Sequence, residues 1–164
     1  MPPRRLDPRR LLAAVNEQRA GLGDAAWAGP LTADALADGC VAAVAAALDA
    51  GLQPCREALR AAVMRLLDLL AARAPGRAVE VRIPPFAAIG CIEGPRHTRG
   101  TPPNVVETDA VTWIRLATGR LGWAAAAAGG LIRASGPRAD LAAYLPLQRA
   151  GSGRGRAGRP ESID

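Results

Sequence analysis

Between Arg56 and Ala74 the apolar residues Leu59, Val63, Leu66, Leu67 and Leu70 recur at i, i+4, i+7, i+8 and i+11, while Arg56, Arg60 and Arg73 fall between them. This spacing gathers the large side chains on one face of a 3.6-residue turn and predicts an amphipathic helix of about 28 Å at 1.5 Å per residue. Pro75 and Gly76 end it. The period then drops to two in Val79-Glu80-Val81-Arg82-Ile83, which sets Val79, Val81 and Ile83 on one face of a half-buried strand. Pro84 and Pro85 cannot donate ladder hydrogen bonds and predict a bend before a second strand, Phe86 to Ile92.

Upstream, Pro8 opens a helix through Arg19 behind Asp7 as cap, and Gly21, Gly23, Gly29 and Pro30 interrupt the pattern. A further helix starts after Thr32, carries Asp34 in its first turn, and shows one narrow stripe of Leu36, Cys40, Val44 and Leu48 before Gly51. Downstream, a loop from Glu93 to Pro103 leads to a strand at Val105 to Thr108. Thr108 or Asp109 caps a helix through Thr118, and Gly119 supplies its left-handed exit. Trp123 to Ala128 predicts a short Ala-rich helix, Leu131 to Ala134 a strand, and Asp140 to Leu145 a last helical turn or two.

The predicted organisation is a flexible basic N-terminus (1–10), one α+β domain (11–148), and a Gly/Arg-rich disordered tail (149–164) with too little apolar surface to order itself. The chain has 164 residues and 21 basic groups, all Arg, for a net charge of +6. Eight of these Arg lie in residues 1–10 and 149–164, so residues 11–148 carry 13 basic against 12 acidic groups. That near-neutral middle argues against a dedicated nucleic-acid reader, leaving only nonspecific attachment through the terminal Arg clusters. Cys40, Cys55 and Cys91 are odd in number and widely spaced, which indicates neither a disulfide framework nor a zinc site and fits a reducing, cytoplasmic setting. No apolar run approaches the roughly 20 residues of a membrane span.

The stretch from Asp109 to Trp123, with Leu116-Ala-Thr-Gly119-Arg120 at its core, then Gly130 to Gly136 and Leu141 to Leu147, resembles the C-terminal half of the sterol carrier protein family. In the bacterial branch the resemblance extends to Arg77-Ala-Val-Glu-Val-Arg-Ile-Pro-Pro85 and to the run from Gly94 to Asp109, so that it covers residues 77–148. It implies a mostly antiparallel five-stranded sheet packed on one side by helices, with an apolar tunnel or groove between the two layers. The helices of residues 11–74 are then an N-terminal addition. Domains of this branch also occur at the C-terminus of proteins similar to mycothiol-dependent maleylpyruvate isomerases, whose metal sits in a separate His-rich bundle. His97 is the only His here, so no metal or other cofactor is expected.

The expected function is therefore a non-catalytic binding module for an apolar or amphipathic small molecule: a lipid, fatty acyl or sterol-like ligand. Phe86, Ile89, Val105, Trp113, Ile114, Leu121 and Trp123 would touch its apolar part, since large indoles in an otherwise aliphatic core suit a cavity wall as well as they suit packing. Arg96, His97 and Arg99, in a loop enclosed by Pro95, Pro102 and Pro103, would hold a polar head through guanidinium forks. The same charges also suit a solvated loop paired with Glu93, Glu107 and Asp109. His97 has no acid, Ser or Cys beside it at motif spacing, so no catalysis is expected. Cys91, in a predicted strand, suits core packing better than a reactive thiolate. The alternative function is an accessory domain with a filled cavity that docks a catalytic partner protein of the isomerase type.

Overall fold

The computed structural model describes residues 6–95, 100 and 104–148. Its elements are α1 (Pro8–Gly21), α2 (Ala33–Asp49), α3 (Arg56–Arg73), β1 (Val79–Ile83), β2 (Ala87–Cys91), β3 (Val105–Thr108), α4 (Ala110–Ala117), α5 (Trp123–Ala128) and β4 (Ile132–Ser135), then one 3-10 turn, Ala142–Tyr144.

The caps sit where short polar side chains precede apolar periodicity. The Asp7 carboxylate accepts the Arg9 N–H at 3.0 Å, Thr32 accepts that of Ala35 at 3.3 Å, and Asp109 accepts both the Thr112 N–H at 2.9 Å and its hydroxyl at 2.6 Å. Gly119 stops α4 at φ +75°. No side chain caps α3; instead the buried Gln18 amide oxygen of α1 accepts the Cys55 N–H at 2.7 Å.

Helices α1, α2 and α3 pack on one another, and α2 also meets α4. The narrow stripe expected on α2 widens in the fold, because Ala37, Gly39, Val41, Ala43, Ala45 and Ala47 are buried along with Leu36, Cys40 and Val44. Gly39 has a packing reason: a Cβ there would strike the Trp27 indole, whose N–H donates to the Pro30 carbonyl at 3.1 Å while the Trp27 backbone N–H donates to Asn16 Oδ1 at 2.7 Å.

The sheet order is β2-β1-β3-β4, antiparallel at β1–β2 and β3–β4 and parallel at β1–β3. Four strands form among the described residues where five were expected. Of the described residues left over, 136–148 contains the 3-10 turn, and Pro146 there removes a ladder donor. The last helix shrinks to that turn because Pro146 disfavours a helical Leu145.

One face of β1 carries Val79, Val81 and Ile83, each at 0% exposure, in the same buried cluster as Leu66 and Leu70 of α3 and Trp113 and Ile114 of α4. Fully burying each aliphatic side chain of this kind contributes about 1.5–3 kcal/mol. Asn104 ties the sheet to the chain beyond β4: its amide donates to the Ala78 carbonyl at 2.8 Å, and its side-chain oxygen accepts the Arg138 N–H at 3.0 Å. At the end of the described chain, Arg73 donates to the carbonyls of Tyr144, Pro146 and Leu147, while the N–H groups of Leu147 and Gln148 share the Ala117 carbonyl.

Candidate ligand-binding site

The interface between sheet and helices, where the ligand was expected, is part of the continuous buried core. Trp113 is 1% exposed, and its indole N–H finds no acceptor among the described residues. Ile114 beside it is fully buried. Phe86, Ile89 and Trp123 are half-buried against the edge of that core, and Leu121 is half-buried in the turn before α5. Val105 is separated from them: it alternates with the buried Val106 and lines a shallow depression with Glu107 and Arg133 on the sheet's other face. The structure thus does not gather the seven expected apolar residues around one cavity. Arg96, His97 and Arg99 lie outside the described residues.

An apolar-floored pocket of about 320 Å³ lies instead among the three N-terminal helices. This volume is at the small end of the ~300–1,000 Å³ usual for small-molecule sites. Leu6 and Leu11 supply one wall. Leu6 precedes the Asp7 cap and Leu11 follows it by four residues, the arrangement that fixes how a chain enters a helix. From α2 come Ala33, Asp34 and Ala37, and from α3 Ala61, Met64, Arg65, Asp68 and Ala71, which recur every three or four residues on one face. Among the described residues, the lining holds no Ser, Cys or His.

The pocket's polar side is an ion-pair network between α2 and α3. Arg65 donates from Nε and Nη2 to the two carboxylate oxygens of Asp38 at 2.7 and 3.1 Å, and from Nη1 to Asp34 at 3.2 Å. The paired Asp38, with Asp34 and Asp68 adding their charge, raises the already high pKa of Arg65, so the guanidinium is fixed as a cation. Burial is the main cause that lifts Asp68 above the ordinary carboxylate range; Arg65 opposes it and the charge of Asp34 adds to it. Asp34 stands at the mouth with 82% of its side chain exposed. The rim therefore sets three carboxylates against one guanidinium.

Nothing in the sequence alone marked this site, because it needs α2 and α3 brought together across 27 to 31 residues. The spacing of Asp34 and Asp38 by four, and of Arg65 and Asp68 by three, is the one signal that each helix carries a charged edge beside its apolar face. The thiols are not chemical candidates. Burial pushes Cys40 up to about 12 and Cys91 up to about 11.

A mixed α+β domain with a four-stranded sheet under a helical layer is the class that this fold defines. The sequence profile of the family described as bacterial SCP ortholog matches residues 55–147, more than half of the chain. The chain belongs to that family and contains a bacterial sterol-carrier-type domain. The match starts one residue before α3, so α3 contributes its side of the pocket from within the family domain, and α1 and α2 contribute theirs from outside it. No curated protein matches the sequence. No helix among the described residues is long and apolar enough to cross a membrane.

Proposed function

We propose that the protein is a non-catalytic binding module for a small amphipathic molecule, whose apolar chain occupies the pocket between α1, α2 and α3. The observation that carries this reading is an apolar floor of Leu6, Leu11 and Met64 beside a fixed charged rim, in a domain of the sterol-carrier type. Burying a chain supplies about 0.8 kcal/mol per CH₂ without direction, and the rim supplies the direction. Its excess of carboxylates favours a cationic or neutral head over a carboxylate.

Isothermal titration with decylammonium, decanol and decanoate tests this. Binding should weaken in that order, and Ala71→Leu, which fills the half-buried mouth, should weaken all three while the far-UV circular dichroism stays unchanged. Unchanged affinity in the filled variant, or no binding of any probe, overturns the assignment. A preference for decanoate that disappears in the Arg96→Gln/Arg99→Gln variant would move the head to that loop.

A second reading, an accessory domain that docks a protein partner, is favoured by α5. Only Ala126 of its six residues is buried, and Leu131 just beyond it is 46% exposed. Leu131→Arg should abolish capture of such a partner and leave decylammonium binding untouched.

A further inference from the structure

Leu6 borders two spaces. On one side is the pocket of about 320 Å³ between α1, α2 and α3. On the other is a slot of about 10 Å³ between α1 and α3, with Ala14 at its base and Arg10, Glu57 and Arg60 at its rim. The two spaces share Leu11 and Ala61 as floor, at 3% and 2% exposure, so one groove runs along α3 and the half-buried Leu6 divides it. With Leu6 in place the slot has room for about one water and is closed to a hydrocarbon chain. The two ends of the groove differ in charge. Carboxylates are in excess at the pocket end, whereas at the slot end two guanidinium groups face one carboxylate. Neither Arg10 nor Arg60 has an ion-pair partner among the described residues.

We propose that Leu6 is a displaceable plug, and that the ligand expelling it is an unbranched chain with an ammonium group at one end and a carboxylate at the other. The inference rests on the pocket reading above and extends it from one head group to two. Leu6 lies before the Asp7 cap, outside every helix and strand, and no hydrogen bond holds it to the other described residues. Only apolar contact keeps it over Leu11 and Ala61, so it opens at low cost, and a methylene chain that replaces it covers the same floor. The groove's length suits such a chain: α3 rises about 12 Å from Asp68 to Arg60 at 1.5 Å per residue. Charge then selects the two ends. The ammonium group meets the acidic rim, and the carboxylate meets the guanidinium forks of Arg10 and Arg60. A chain with two like charges would be repelled at one end.

Isothermal titration of the full chain with decylammonium, dodecylammonium and ω-aminododecanoate tests this. Wild type should bind ω-aminododecanoate about fivefold more tightly than dodecylammonium, the gain expected of one exposed ion pair. In Arg10→Gln/Arg60→Gln that preference should disappear. Leu6→Ala removes the plug and should raise the affinity for ω-aminododecanoate relative to decylammonium by at least about fourfold, the equivalent of one buried CH₂. Leu6→Trp, a larger plug, should lower the same ratio. Equal wild-type affinities for the two dodecyl probes, with decylammonium still bound, overturn the proposal alone. Failure of all three probes to bind overturns it together with the pocket reading. A ratio that neither Leu6 variant changes would make Leu6 a fixed wall and overturn the proposal as well.

Discussion

Gly76→Ala should destabilise the fold for two separable reasons. Gly76 adopts φ +139°, a conformation open to glycine but strained by about 1–3 kcal/mol for other residues. A Cβ at this position would also run into the backbone of Ile92 and Glu93, which cannot step aside as a flexible side chain can. Ile92 is held from both sides, since its N–H donates to the Ala74 carbonyl at 2.7 Å and its carbonyl accepts the Ala78 N–H at 2.9 Å. Making room for the methyl group breaks this pair, at about 0.5–1.5 kcal/mol for each hydrogen bond. Gly51→Ala is the matched control: it has φ +71° but open space around the added Cβ, so it carries strain alone, about 1–2 kcal/mol. Both substitutions reduce unfolded-state entropy alike, so that contribution cancels between them. Urea unfolding of the two variants should therefore give Gly76→Ala as the less stable by about 1–3 kcal/mol, the two bonds together. Equal stabilities would show that the α3–β1 connection yields without breaking its contacts and would refute the reasoning.

Leu66→Ala and Leu67→Ala, at 0% and 1% exposure, should each cost about 2–5 kcal/mol in the same assay; less than 1 kcal/mol at both would contradict their place in the core. Arg120 grips Asp49 through three hydrogen bonds of 2.8–3.0 Å and holds its carboxyl below the usual value, so the pair's contribution is present above the unfolded pKa near 4 and is lost as pH falls through the lower folded value. Asp49→Asn should then lower stability at pH 7 by no more than about 1 kcal/mol, as expected for an exposed pair, and match wild type near pH 2; an equal deficit at both pH values would refute the linkage. Native-state alkylation followed by intact mass should modify the half-buried Cys55 well before the buried Cys40 and Cys91, and simultaneous labelling of all three would contradict their burial.

Large apolar residues and short polar caps made most of the fold legible. Leu59 to Leu70 placed α3, the Val79-Val81-Ile83 alternation placed β1, and Asp7, Thr32 and the Thr108–Asp109 pair, of which the structure uses Asp109, placed three helix starts, because each uses an interaction local to a few residues. Alanine was less readable. In α2 the four alanines Ala37, Ala43, Ala45 and Ala47 are buried along with Leu36, but Ala is also the commonest filler of an exposed helix, so periodicity alone drew a stripe where the fold has a nearly encircled helix. The fifth strand came from the family resemblance and not from any alternating run in these residues, and it is the strand that does not form among those described.

The pocket residues were less legible than the fold, for a reason that Trp113 illustrates. Its size in an aliphatic chain suited a cavity wall and a core plug equally, and only the arrival of β1 and α3 around it decides between them, with 1% exposure as the outcome. Leu6 shows the converse: beside Arg4 and Arg5 it read as part of a loose end, yet the turn at Asp7 folds it back toward Leu11 and makes it a wall of the pocket. Arg65 completes the pattern, since its partners Asp34 and Asp38 belong to another helix and its charge has no local meaning until α2 and α3 meet. A site built where three helices converge is specified by their packing, so its residues carry no shared spacing in the chain. The family match includes only part of the pocket lining: α3 brings its face from within the match, and α1 and α2, which complete the pocket, lie outside it.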